Sequence, residues 1–278
     1  MRLLGIAGGV AATPILASAY AADIEPYQLS IERVAVRSPR IPSALDGLKI
    51  GVLSDFHLGN GVDEAFMAKS AQLMNSLQPD LILLGGDYVH HSDLGAAAAE
   101  ALSGLYAPHG VYAVMGNHDI WKGDYAVSFA FEARFANAPF VFKMLRNANH
   151  TLRIQDTPLH IVGLDNVWEH RDNIEHALEG VPENEAAILL VHEPDYAERA
   201  AARHPFALQV SGHSHGGQVC IPFIKPWWTP QWAVRHIAGL EDIGEMQLYT
   251  TRGIGMSYLQ YRFMCPPEVT LITLRAGS

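Results

Sequence analysis

The feature that most constrains this chain is a series of short apolar runs that each stop at a polar residue. "GLKIGVLSD" (47–55), "PDLILLGGD" (79–87) and "GVYAVMGNHD" (110–119) are separated by "DEAFMAKSAQLMNSL" (63–77) and "GAAAAEALSGL" (95–105). Near-continuous apolar runs of this length read as strands buried on both faces. The segments between them are long enough for helices, and 63–77 places Phe66, Leu73, Leu77 and Met74 on one helical face. The first half therefore reads βαβαβ, which requires parallel strands, right-handed crossovers and helix-covered faces.

The second half changes character. "TLRIQ", "LHIVGLD", "AAILLVHEPD", "FALQVSGHSHGGQVCIP", "EMQLYTTRG" and "EVTLITL" read as short strands, with brief helical pieces near 172–179 and 195–203. A second sheet packed on the first accommodates them. "YQLSIERVAVRSP" (27–39) alternates like a leading strand with one wet face. With 278 residues, 49% of them hydrophobic and 17% charged, the chain can bury a sizeable core. No repeat or linker marks a boundary within residues 23–278.

Five runs end in groups that bind metals: Asp55 and His57; Asp87; Asn117, His118 and Asp119; His192; His213 and His215. Singly each has a plain explanation, since Asp87 would cap a helix and His192 would serve as a hydrogen-bonded core histidine. Together they occupy the carboxyl edge of the strands, where open α/β sheets build their sites. Asp55 and His57, two residues apart, share a face if the strand continues through them.

Charge limits the substrate. Nineteen Lys and Arg stand against 29 Asp and Glu, a formal charge of -10, with no basic run, so a polymeric nucleic acid is not expected as a partner. Cys220 and Cys265 lack zinc-site spacing and read as buried thiols, with one disulfide between them left open. At the start, an early Arg, an apolar stretch from Leu3 to Ala17 and Ala19-Tyr20-Ala21 make residues 1–22 a signal peptide or an N-terminal membrane anchor, so the protein is expected to be exported or membrane-associated.

The order D-x-H, G-D, G-N-H-D, H, G-H-x-H resembles the calcineurin-like metallophosphoesterase superfamily. "IEP", "GHSHGGQV", "TTRGIG" and "RFMCPPEVTL" are similar to its YaeI/YkuE-type bacterial phosphodiesterase branch. The resemblance implies a four-layer α/β/β/α sandwich, two mixed sheets flanked by helices, with a dinuclear site at the strand carboxyl ends. One metal would take Asp55, His57, Asp87 and His215, and the other Asp87, Asn117, His192 and His213, with Asp87 bridging. Imidazoles and hard oxygens suit Mn, Fe or Zn. The implied reaction is attack of a metal-activated hydroxide on phosphorus. His118 would then serve as the acid for the leaving oxygen, with Asp119 orienting its ring.

His90 and Arg252 are weaker candidates for touching substrate. The implied substrate is a small or lipid-linked phosphodiester or pyrophosphate, such as UDP-2,3-diacylglucosamine, with a membrane surface as a further partner. The competing readings are a nuclease or nucleotide phosphodiesterase and a non-catalytic scaffold of the same fold. The loop "IPFIKPWWTPQWAVRH" (221–236) reads either as core packing or as a membrane-interface element.

Overall fold

The computed structural model describes residues 16–120 and 123–277, so most of the expected leader, residues 1–15, lies outside the described residues. The first half runs β1 (Ser30–Ser38), β2 (Lys49–Leu53), α1 (Glu64–Ser76), β3 (Leu81–Leu84), α2 (Gly95–Ala101), β4 (Val111–Ala113), α3 (Ala126–Phe135) and β5 (Phe142–Met144). The second half adds β6 (Ala148–Ile154), β7 (Thr157–Gly163), α4 (Ile174–Ala177), β8 (Ala186–Leu190), α5 (Ala197–Arg203) and β9 (Leu208–Ser211). It closes with β10 (Gly239–Ile243), β11 (Met246–Thr250) and β12 (Glu268–Ala276).

Two six-stranded mixed sheets result, ordered β1-β12-β2-β3-β4-β5 and β10-β11-β9-β8-β7-β6. β2, β3 and β4 are parallel, as the βαβαβ reading requires. Three apolar layers hold the sandwich. Ile50, Val52, Leu81 and Leu83 meet Ile161, Ile188, Leu208 and Val210 between the sheets. Ile82, Leu84 and Val111 on the outer face of the first sheet pack against Met67, Met74, Leu102 and Phe131. Val162, Leu189 and Leu248 on the outer face of the second pack against Ala177, Ala197 and Ala200. The expected α/β/β/α order is observed.

Helix α1 starts where Asp63 accepts the Phe66 amide at 2.8 Å. Its buried stripe is Phe66, Met67, Ser70, Ala71 and Met74, with Leu73 and Leu77 half-buried at its margin, a rotation from the face expected. Gly51 of β2 explains the close approach, since a Cβ there would lie 2.4 Å from Met74 Sδ. Both cysteines are free thiols; Cys265 is buried and Cys220 half-buried. Strands β5 and β10 were not anticipated. Each lies at the edge of its sheet, where half-exposed short strands carry little apolar pattern.

Candidate metal centre

β2 runs parallel to β3 and β8 runs parallel to β9, so within each sheet the following loops meet at one edge. β2 ends at Leu53, before Asp55 and His57, so the strand pleat does not align that pair. Both sit in the left-handed region, with φ of 56° and 49°. Asp87, His213 and His215 do the same, at 53°, 70° and 52°. Such backbone costs about 1–3 kcal/mol per residue and persists only when its surroundings hold it. Here the loops zip together: Asp55 N donates to Gly86 O at 2.9 Å, His57 N to Asp87 O at 3.0 Å, and Gly255 N to Asp55 O at 2.6 Å.

Two buried clusters form, Asp55 with His57 and His215, and Asp87 with His192 and His213. Asp87 also reaches the first cluster, its Oδ2 lying 3.4 Å from His57 Nε2 and 3.2 Å from His192 Nε2. The glycines ahead of the ligand blocks are needed for this closeness. A Cβ at Gly116 would fall 2.1 Å from Asp87 Oδ1, and one at Gly212 would fall 2.2 Å from Asp55 Oδ2.

The donor set fits metal ions. His192 Nδ1 lies 2.7 Å from Gly85 O, and His213 Nε2 lies 2.8 Å from Gln231 O. A carbonyl only accepts, so each ring carries its proton on that side and turns its other nitrogen's lone pair inward. Those inward nitrogens, His192 Nε2 and His213 Nδ1, face each other at 3.1 Å, an arrangement that a cation bound between them, or a second proton on His192, reconciles. In the other cluster His57 Nε2 and His215 Nε2 are 3.0 Å apart, close enough for both to bind one ion at about 2.1 Å. Asn117 Oδ1 and Asp55 Oδ2 are buried acceptors with no partner among the described residues. Burial lowers His213 to about 3, further depressed by His192, and holds His57 and His215 well below the ordinary imidazole range, so these rings are neutral and able to ligate.

The structure brings six of the seven expected ligand positions into these two clusters, leaves Asn117 beside them with a buried Oδ1, and sets His118 at their edge. Its amide donates to Asp87 Oδ1 at 2.8 Å, and its ring lies 4.6 Å from the His57 ring and 5.0 Å from that of His90, centroid to centroid. A cavity of about 470 Å³ lined by His90, His91, Asn117, His118 and Trp168 opens there. Asp119 departs from expectation. Its carboxylate accepts the amides of Asp87, Tyr88 and Gly116 at 2.7–2.9 Å, so it fixes the Asp87 loop and not the His118 ring. The ring's Nδ1 faces His90 O instead, at 3.5 Å. Arg252 is also elsewhere, with its Nη2 on Glu32 at 2.6 Å and its Nε on Glu268 at 2.9 Å, so the guanidinium is committed to carboxylates of the fold.

Arg262 and Asp195 were missed. Arg262 is fully buried and donates to the carbonyls of Arg252, Gly255 and Cys265 at 2.6–3.0 Å, holding the turn that carries Gly253 and Gly255 against Asp55 and Phe56. Asp195 accepts the amides of Val234, Arg235 and His236, which anchors the segment supplying Gln231 O. The signals were a lone Arg in "RFMC" and the Asp that closes "HEPD".

A family profile described as calcineurin-like phosphoesterase matches residues 48–217, the span holding all of these ligand positions. The chain belongs to the calcineurin-like phosphoesterase family. Metallophosphoesterase YkuE of Bacillus subtilis is 33% identical over 283 residues, covering 99% of this chain and 97% of that one. Phosphodiesterase YaeI of Escherichia coli K12 is 32% identical over 230 residues, covering 81% and 82%. UDP-2,3-diacylglucosamine pyrophosphatase LpxG of Chlamydia trachomatis is 26% identical over 316 residues, covering 95% and 94%. As a calcineurin-like phosphoesterase this chain is a hydrolase of phosphoric esters, and the family implies divalent metal ions at such clusters.

Proposed function

We propose that the chain hydrolyses a phosphodiester or pyrophosphate bond at a dinuclear centre, with Asp55, His57, Asp87 and His215 around one ion and Asp87, Asn117, His192 and His213 around the other. The observation that carries this reading is the pair of inward lone pairs on His192 and His213, fixed 3.1 Å apart by two backbone carbonyls and backed by Asp87. Bound metals of the Mn, Fe or Zn type would supply positive charge for the phosphate oxygens and a lowered pKa for the attacking water. The chain's own part is positional. Asp87 presents Oδ2 to both clusters while Oδ1 is held by the His118 amide. His118, whose ring borders the cavity, gives a proton to the leaving oxygen, and the His90 carbonyl orients it. Asp119 acts through Asp87 as a positioning residue.

For substrate class, the similarity to proteins named phosphodiesterase and UDP-2,3-diacylglucosamine pyrophosphatase supports a small or lipid-linked diester or pyrophosphate over a monoester. We infer an exported or membrane-associated protein, with residues 1–22 as signal or anchor. The apolar run Leu3–Ala17 supports this, although no helix among the described residues is long and apolar enough to cross a membrane. Purified protein reconstituted with Mn, Fe or Zn should cleave bis(p-nitrophenyl) phosphate and UDP-2,3-diacylglucosamine at least about tenfold faster than p-nitrophenyl phosphate. Preference for the monoester under every metal would reject the substrate class.

A further inference from the structure

The Trp-rich loop after the last ligands divides in two. Its base is anchored: Trp232 packs on the outer core of the second sheet, and Asp195 holds the amides that follow. Its tip is not. Ile221, Phe223 and Ile224 are exposed, and Trp227 is 74% exposed. The second stretch of this face is 257–264, where Tyr258 is 78% exposed and Leu259 stands beside it. The two stretches interlock, since Trp228 packs edge-on to Tyr258 at 5.0 Å and Gln218 Nε2 donates to Leu259 O at 2.9 Å. The patch also abuts the metal centre. Pro226 packs so closely on Gly217, two residues past His215, that a Cβ there would meet it at 2.4 Å.

We propose that this face docks on a lipid bilayer, with Phe223, Ile224 and Trp227 entering the interface. Exposed apolar patches mark interaction sites, and tryptophan, tyrosine and lysine beside aliphatic residues make up membrane-interface surfaces. Three observations favour a bilayer over a protein partner. The tip carries Lys225, and neither 221–236 nor 253–267 contains a carboxylate, in a chain with 29 Asp and Glu. The helical segment from Leu16 to Tyr27 joins the second stretch directly, since Arg262 N donates to Ala21 O at 2.9 Å and Glu25 accepts the amides of Met264 and Cys265. The described segment that follows the apolar sequence in the chain therefore lies at the edge of this patch, and an N-terminal anchor in lipid would act from the same side as the tip.

The inference stands apart from the catalytic reading, and its deciding readouts, vesicle binding and tryptophan quenching, need no turnover. The full chain is mixed with phosphatidylcholine vesicles containing about a third phosphatidylglycerol, with and without brominated acyl chains. Brominated lipid should quench tryptophan emission, and Trp227→Phe should remove most of that quenching. Phe223→Asp with Ile224→Asp should weaken vesicle binding at least about tenfold while Tm and hydrolysis of a small soluble diester stay as in the wild type. Quenching that Trp227→Phe leaves unchanged, or vesicle binding that the double variant leaves intact, would overturn the proposal by assigning lipid contact to the leader alone. Absence of binding, or a dimer in sedimentation that the double variant abolishes, would overturn it as well, the dimer giving the face to a second copy of the chain.

Discussion

The two halves of the centre are built to different standards. Around His192 and His213 each ring is pinned by a backbone carbonyl on its far side, which fixes proton and orientation before any ligand arrives. Around His57 and His215 the far nitrogens, both Nδ1, are buried without a partner among the described residues. A pinned imidazole loses little freedom on binding a metal, whereas an unpinned one must first choose its tautomer and angle. The difference predicts unequal sites: a tight one at Asp87, His192 and His213, and a looser one at Asp55, His57 and His215.

Asp87 belongs to both halves, so removing it should abolish the contrast with the largest effect. Asp87→Ala is expected to lose both metals and at least about 10³-fold in diester hydrolysis. Elemental analysis reads the outcome directly, and two retained equivalents per chain would refute the shared carboxylate. His118→Asn should leave both halves loaded yet cost about 10²–10⁴ in kcat, less for a leaving group of low pKa that needs little protonation. Equal losses on good and poor leaving groups would make His118 a phosphate binder.

Graded chelation tests the contrast itself. Metal should leave in two phases, with affinities about 10–100-fold apart, the size expected from supporting hydrogen bonds to metal-bound histidines. His215→Ala should keep about one equivalent, held by the pinned half. A single release phase, or loss of both ions from His215→Ala, would show that the carbonyls do not set the affinities.

The ligand set was legible because chemistry repeats at strand ends: five apolar runs closing in His, Asp or Asn gave positions that the fold does bring together. What did not show was backbone. The left-handed turns at Asp55 and His57 replace the pleat alignment that a continuing strand would supply. The carbonyls of Gly85 and Gln231 that pin two rings have no side-chain signature. Asp119 follows His118 in sequence, yet its carboxylate turns to the Asp87 loop, where the amides of Asp87, Tyr88 and Val89 donate to it along with that of Gly116. Arg252 and Arg262 look alike in sequence; only packing separates one paired with Glu32 and Glu268 from one buried among carbonyls.

The smallest expected effect separates the halves by pH. After metal removal, burial leaves His57 and His215 well below the ordinary value of 6.5, whereas both would take up protons in the unfolded chain. Where the unfolded state binds more protons, stability falls as pH falls, so these two rings destabilise the fold between about pH 7.5 and 6. In the pinned half the effects oppose each other. His213, lowered by burial to about 3, acts in the same direction, while His192, which burial works to lower, is raised well above 6.5 by Asp87 and Asp55 and acts against it. Asp55, pushed up by burial to about 6, begins to offset the loss only at the lower end of that window. His57 and His215 contribute a loss of about 1–2 kcal/mol across that window, while the carboxyls of Asp119 and Glu193, pushed up by burial to about 8 and about 7, take up protons in the folded chain and act in the opposite direction. The chelated double variant His57→Asn with His215→Asn should therefore gain a few degrees in Tm relative to chelated wild type as pH falls from 7.5 to 6. If that relative gain is absent and appears instead with His213→Asn, the two halves titrate in the opposite order and the unpinned rings are held by contacts other than burial.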